Sequence, residues 1–118
     1  MPFRFESLDI WHMARTYATK VYALTARFPR REDYGLTSQL NRAANSIALN
    51  IAEGAGKSSD RAFDYHLDVA VGSIFEVVSG SFLALDRGYI TEQEQRRLYD
   101  DGEQLGKSIN AFRKTLRP

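Results

Sequence analysis

The chain contains no cysteine, three prolines, a single tryptophan and no marked excess of either charge sign. Without cysteine there is neither a disulfide framework nor a thiolate metal site, which fits a reducing compartment. Sixteen basic against fifteen acidic residues leave a formal charge of +1, unlike the strong basic excess of a dedicated nucleic-acid-binding domain. A site for RNA or DNA then has to come from local clustering, or from a patch repeated in an oligomer. The opening MPFRFESLDIW has no apolar stretch of signal-peptide length and meets Glu6 and Asp9 early. The longest apolar run, Val69 to Leu85, is broken by Glu76, glycine and serine, which reads as too interrupted for a bilayer span. The expectation is a cytoplasmic protein with no membrane contact. A length of 118 residues predicts one domain over the whole chain.

What is present is helical periodicity. In the run Leu36–Lys57, Leu36, Leu40, Ala43, Ala44, Ile47 and Ile51 recur at steps of three and four, the mark of an apolar helix face. Gln39, Arg42, Ser46, Asn50 and Glu53 form a polar row beside it. A first helix is expected from about Ser7 to Phe28, ended by Pro29, with Trp11, Ala14, Ala18, Val21, Thr25 and Phe28 inward. The second occupies Leu36 to Ala55, and Gly54 and Gly56 let the chain leave it. The third begins after Ser58 or Ser59 as cap and runs to about Arg87, with Gly88 beyond it. The fourth opens on the capping pair Thr91 and Glu94. Its narrow seam of Leu98, Gly102, Leu105, Ile109, Phe112 and Leu116 predicts the most solvated helix, and Thr115 to Pro118 are expected to fray. No long strict alternation competes, so the prediction is all-α: an antiparallel up-down-up-down four-helix bundle.

A polar row beside a bundle seam needs partners. Antiparallel packing through the turn at Gly56 predicts that Arg42 pairs with Glu76, with Gln39, Ser46 and Ser73 completing the hydrogen bonds. Asn50 and Glu53 belong to the same network, and Glu53 is expected to cap or pair locally, for instance with Arg61. The third helix carries a second apolar side, Val69, Ser73, Gly80 and Leu83, and the second helix has Ala48, Leu49 and Ala52 away from its seam. A monomeric bundle buries one stripe per helix, so these residues predict an interface between copies of the chain. Ala48, Leu49, Ala52, Val69, Gly80 and Leu83 are the interface candidates.

Chemistry is scarce. One Asp9-x-x-His12 is too little for a carboxylate-bridged metal site, and Gly54-Ala55-Gly56-Lys57-Ser58 lacks the strand and glycine spacing of a phosphate loop. Ser79 between Val78 and Gly80 sits mid-helix, so it is no nucleophile elbow. No catalytic, cofactor or metal residue is assigned, and no enzyme is expected. Arg113, Lys114 and Arg117 have no acidic residue after Glu103 to offset them. They are the candidates for nucleic-acid contact, against the alternative that they serve the helix dipole.

The segments FESLDIWHMA, YALTARFP, EDYGLTSQLNRAANSIALNIAEG and AVGSIFEV together resemble the four-helix-bundle proteins encoded within intervening sequences of bacterial 23S ribosomal RNA genes. The likeness covers nearly the whole chain, and NIAEG with the upstream GLTSQLNRA is its most specific part. That family is in turn similar to accessory proteins of diversity-generating retroelements, pentameric barrels that bind nucleic acid and a reverse transcriptase. The resemblance implies a homo-oligomer, a pentamer by analogy, and places the family's characteristic positions on Gln39, Arg42, Ser46, Asn50, Glu53 and Gly54, and on Ser73 and Glu76. The retroelement proteins are markedly basic, whereas this chain is nearly neutral. The function expected is a non-enzymatic, homo-oligomeric binding or scaffold module with RNA or DNA as a candidate partner. The alternative is an adaptor that docks a protein partner on helices two and three.

Overall fold

Ser59 and Thr91 show how directly the chain writes its helix starts. The Ser59 hydroxyl accepts from the Ala62 amide at 3.1 Å. Thr91 and Glu94 satisfy each other, at 2.9 Å from the Thr91 amide to the carboxylate and 3.1 Å from the Glu94 amide to the hydroxyl. The structure, a computed structural model, describes residues 2–116. Its helices are α1 (Asp9–Thr25), α2 (Leu36–Ala55), α3 (Asp60–Asp86) and α4 (Glu92–Leu116), with short 3-10 turns at Arg4–Ser7 and Arg30–Glu32. The described residues form no strand. At the end of α3, Gly88 adopts φ +77, and the Tyr89 and Gly88 amides return to the Ala84 and Leu85 carbonyls. That paired pattern is the glycine stop that a left-handed residue permits.

Hydrogen bonds between helices fix the topology. Thr25 bonds Asn41, and Asn45 bonds Tyr22, across α1 and α2. Ser73 bonds Ser46, and His66 bonds Asn50, across α2 and α3. Gln95 meets Ser81 and Arg113 meets Asp64 across α3 and α4, while Tyr17 of α1 and Arg27, just past its end, meet Leu98 and Glu94 of α4. In every pair one residue number rises as the other falls, so each helix runs against both neighbours. The result is the up-down-up-down bundle, 45 × 22 × 21 Å.

α2 and α4 fill the spans expected of them, whereas α1 is shorter than its periodicity suggests. Leu8 is extended, at φ −92 and ψ 121, so the helix proper starts at Asp9 after the Arg4–Ser7 turn. It ends at Thr25, because the residue before Pro29 is pushed out of the helical region and Phe28 lies against the Tyr89 ring at 5.1 Å. Its buried row is Ile10, Ala14, Tyr17, Val21 and Thr25, with Trp11 and Ala18 only half-buried at the border. α4 buries only Gln95, Leu98, Gly102, Leu105 and Ile109. Arg117 and Pro118 lie outside the described residues, and Thr115 is still helical.

The tightest joint is between α2 and α3. A Cβ on Gly54 would stand 2.8 Å from both Phe63 Cδ1 and His66 Cβ, and one on Gly80 would land on Leu40. Each glycine lets a facing helix come close. Gly80 therefore serves the inside of the chain, correcting its expected place in an interface between copies. α3 is also apolar enough, by length and composition alone, to pass for a membrane span, contrary to the reading of Val69–Leu85. However, 44% of that window is buried inside the bundle.

Candidate interaction surface on helices α2 and α3

The polar row of α2 divides in two when its helix turns. Ser46 and Asn50 face α3, where the Ser73 hydroxyl donates to Ser46 at 2.8 Å and Asn50 donates to Ser46 at 3.0 Å. Asn50 Oδ1 lies 3.1 Å from His66 Nδ1, and Glu53 comes within 3.8 Å of both His66 and Lys57, not of Arg61. Gln39, Arg42 and Glu76 lie outside this network. All three are exposed, and among the described residues neither Arg42 nor Glu76 has an ion-pair or side-chain hydrogen-bond partner. The intrachain Arg42–Glu76 pair is thus corrected. Spacing alone put both residues on the seam, but the seam-facing positions are taken by Ser46, Asn50 and Ser73, and the charged pair is rotated outward.

Two members of the polar interior carry no conspicuous sequence signal. His66 joins the network because the α2–α3 register brings it beside Asn50. Gln95, buried on α4, donates to Ser81 at 3.2 Å, and Ser81 donates to the Val78 carbonyl at 2.6 Å. Replacing Asn50 by leucine removes bonds to Ser46 and His66 and costs about 1–2 kcal/mol. Arg42→Ala, at an exposed unpartnered site, stays within roughly 0.5 kcal/mol. Thermal melts of the two variants at low protein concentration separate these outcomes.

The basic residues are mostly occupied. Arg113 is nearly buried and grips Asp64 at 2.8 Å and Asp68 and Asn110 at 3.2 Å. The Asp64 carboxylate holds its guanidinium pKa even higher than usual. Arg113 is therefore a clamp between α4 and α3 and is not free for phosphate, a correction to its expected role; its two carboxylate partners, Asp64 and Asp68, come within reach only once α3 is folded alongside. Lys114 is exposed, and Arg117 lies outside the described residues. Arg27 holds Glu94, whose pKa falls to about 2 chiefly through that hydrogen bond, and Arg87 holds Glu32. Arg15, Arg31 and Arg96 lie over the rings of Trp11, Tyr89 and Tyr99. Among the described residues no group of three or more His, Asp or Glu side chains is placed to hold a metal.

What the surface does offer is apolar. Leu49 stands 66% exposed on α2, and Tyr65, Val69, Phe75, Phe82 and Leu83 are exposed along α3, Phe75 at 73%. Of the other interface candidates, Ala48 and Ala52 are half-buried. Phe75 had no distinguishing pattern in the sequence, because its neighbours Ile74 and Val77 carry the core signal. It forms a ridge between two grooves: one of about 350 Å³ on the α2 side with Gln39, Glu76 and Leu83, and one of about 540 Å³ on the α4 side with Val78, Phe82 and Gly102. Exposed apolar side chains flanking grooves with polar residues at their rims are what interaction surfaces present.

Comparison with known proteins agrees with the bundle. A crystal structure of a protein of unknown function from the S23 ribosomal protein family of Bacteroides thetaiotaomicron superposes with a TM-score of 0.78 at 19% identity, covering 89% of this chain and 98% of that one. No curated protein matches the chain. The profile of the family described as 23S rRNA-intervening sequence protein matches residues 6–111. With nine-tenths of its length spanned by that profile, from the turn before α1 to the last turns of α4, the chain belongs to the 23S rRNA-intervening sequence protein family.

Proposed function

We propose that the protein is a non-enzymatic assembly module: copies associate through the outer faces of α2 and α3, and the resulting body serves as a scaffold for a partner. The observation that carries this reading is the set of exposed apolar side chains on α3, Tyr65, Val69 and Leu83 on one side and Phe75 and Phe82 further round, together with Leu49 on α2. Leaving such side chains in water is costly at about 25 cal/mol per Å², and covering them is the physical drive for association. The clefts on this face bring together apolar side chains, small residues and one or two charged rim groups.

Between RNA or DNA and a protein partner, the arrangement favours protein. Arg15, Arg27, Arg31, Arg87, Arg96 and Arg113 already hold carboxylates or rings, so a phosphate would compete with existing partners for them. Nucleic acid enters as the second reading through oligomeric repetition of the exposed Lys114. Light scattering on the untagged chain is expected to give a multiple of 13.4 kDa. A gel shift with structured RNA at low and at high salt is expected to show little binding at either. A monomeric mass would end the assembly reading, and tight RNA binding that falls steeply with salt would favour the second.

A further inference from the structure

Arg42 and Glu76 are opposite charges left exposed on adjacent helices, each two turns from an exposed apolar residue of its own helix, Leu49 and Val69, and this placement has a geometric consequence for assembly. We propose that the two residues form an ion pair between copies, with α2 of one copy packed antiparallel beside α3 of the next. Arg42 then faces the next copy's Glu76, and Leu49 faces its Val69. The proposal rests on the assembly reading above and specifies its joint.

Rotation about an axis along the bundle leaves every residue's height unchanged. Residues of α2 and α3 that share a height within one chain therefore share it across a joint made by such a rotation. The Ser46–Ser73 hydrogen bond sets the reference height. Arg42 lies four residues before Ser46, and Glu76 three residues after Ser73. On antiparallel helices these displacements run the same way, by about 6 and 4.5 Å. In the other direction, Leu49 is three residues past Ser46 and Val69 four before Ser73. One register thus satisfies the charge pair and the apolar contact together.

A two-fold contact of α3 with itself fits less well. Glu76 lies midway between Val69 and Leu83, seven residues from each, so a joint centred on that row sets the two Glu76 carboxylates against each other. Pairing α2 with α3 replaces that repulsion by attraction. The planar guanidinium suits a carboxylate with two hydrogen bonds, and Gln39 flanks the same groove as Glu76. Apolar contacts alone set register weakly, whereas an ion pair excludes misaligned joints.

The test uses the full chain, with mass by light scattering over a concentration series and circular dichroism to confirm the fold. Arg42→Glu and Glu76→Arg are each expected to raise the dissociation concentration about tenfold or more, as like charges meet at the joint. Combining both substitutions in one chain, or mixing the two single variants, is expected to bring it back to within about threefold of wild type, since complementary faces then meet again. Wild-type assembly that is indifferent to either single substitution overturns the pair and leaves the assembly reading standing. Rescue within one chain but not on mixing also overturns it, because it places the pair inside the chain. A wild-type chain that stays monomeric defeats the assembly reading itself, and the pair with it.

Discussion

Truncating Phe63 to alanine lowers the stability of the bundle by about 3–5 kcal/mol, a fall in melting temperature of roughly 10–20 °C. Phe63 is among the largest fully buried side chains. Its ring lies 5.4 Å from that of Phe112 on α4 and 5.0 Å beneath the Arg4 guanidinium from the amino-terminal turn. On its remaining side is Gly54, where even one added carbon would strike Phe63 Cδ1 at 2.8 Å. The residue therefore joins α2, α3, α4 and the amino-terminal turn, and its truncation leaves a cavity at their meeting point. Gly54→Ala costs about 1–3 kcal/mol by overpacking, and less in the Phe63→Ala background, since the ring atom it strikes is gone. Melts followed by circular dichroism on the two single variants and the double variant measure both numbers and their coupling. Equal costs of Gly54→Ala in the two backgrounds would show that the glycine serves something other than this contact.

The second large effect is on assembly. Replacing Val69 and Leu83 by aspartate is expected to raise the dissociation concentration by about a hundredfold or more, because each substitution forces an unpaired carboxylate into a closing apolar joint. Both residues are exposed in the single chain, so the melting temperature of the dilute protein should stay within a few degrees of wild type. This separation of effects is informative: substitutions at Phe63 act on folding, and substitutions on the outer row of α3 act on association. Sedimentation of the double variant beside wild type checks it. An unchanged mass would mean that copies associate elsewhere.

Much of this architecture is legible in the residues themselves. The span of α2, the Ser59 and Thr91 starts and the Gly88 stop follow from local chemistry that no tertiary contact overrides. The seam of α4 is equally plain, since its few apolar residues have only one face to occupy. The polar row of α2 is less transparent. Spacing of three and four places Arg42 and Ser46 in one stripe, but a four-residue step turns a helix by about 40°, enough to take Arg42 from the joint to the solvent. Which end of a drifting stripe faces inward depends on the neighbouring helix. Ser73 and His66 decide it here by bonding to Ser46 and Asn50.

The same dependence on neighbours explains the other corrections. Gly80 looks like a gap offered to another molecule, yet Leu40 of the same chain occupies the space above it. Arg113 looks uncompensated because its partners lie far back in the sequence, at Asp64 and Asp68. Antiparallel packing brings them together, a relation that a count of charges along the chain cannot display. Phe75 is the converse case, an aromatic residue without a pattern that becomes conspicuous only once the helix is turned and its ring is seen to stand in water.

The central claim, that copies of the chain meet on the outer faces of α2 and α3, is tested most directly by hydroxyl-radical footprinting of the protein at a concentration where it is assembled. Tyr34 provides an internal standard, since it is 100% exposed and lies in the connection between α1 and α2, not on α2 or α3 themselves. Labelling of Leu49, Val69 and Leu83 is expected to fall several-fold relative to Tyr34 on going from dilute to concentrated protein. Labelling of all four residues in proportion to their exposure in the single chain, at every concentration, would contradict the account.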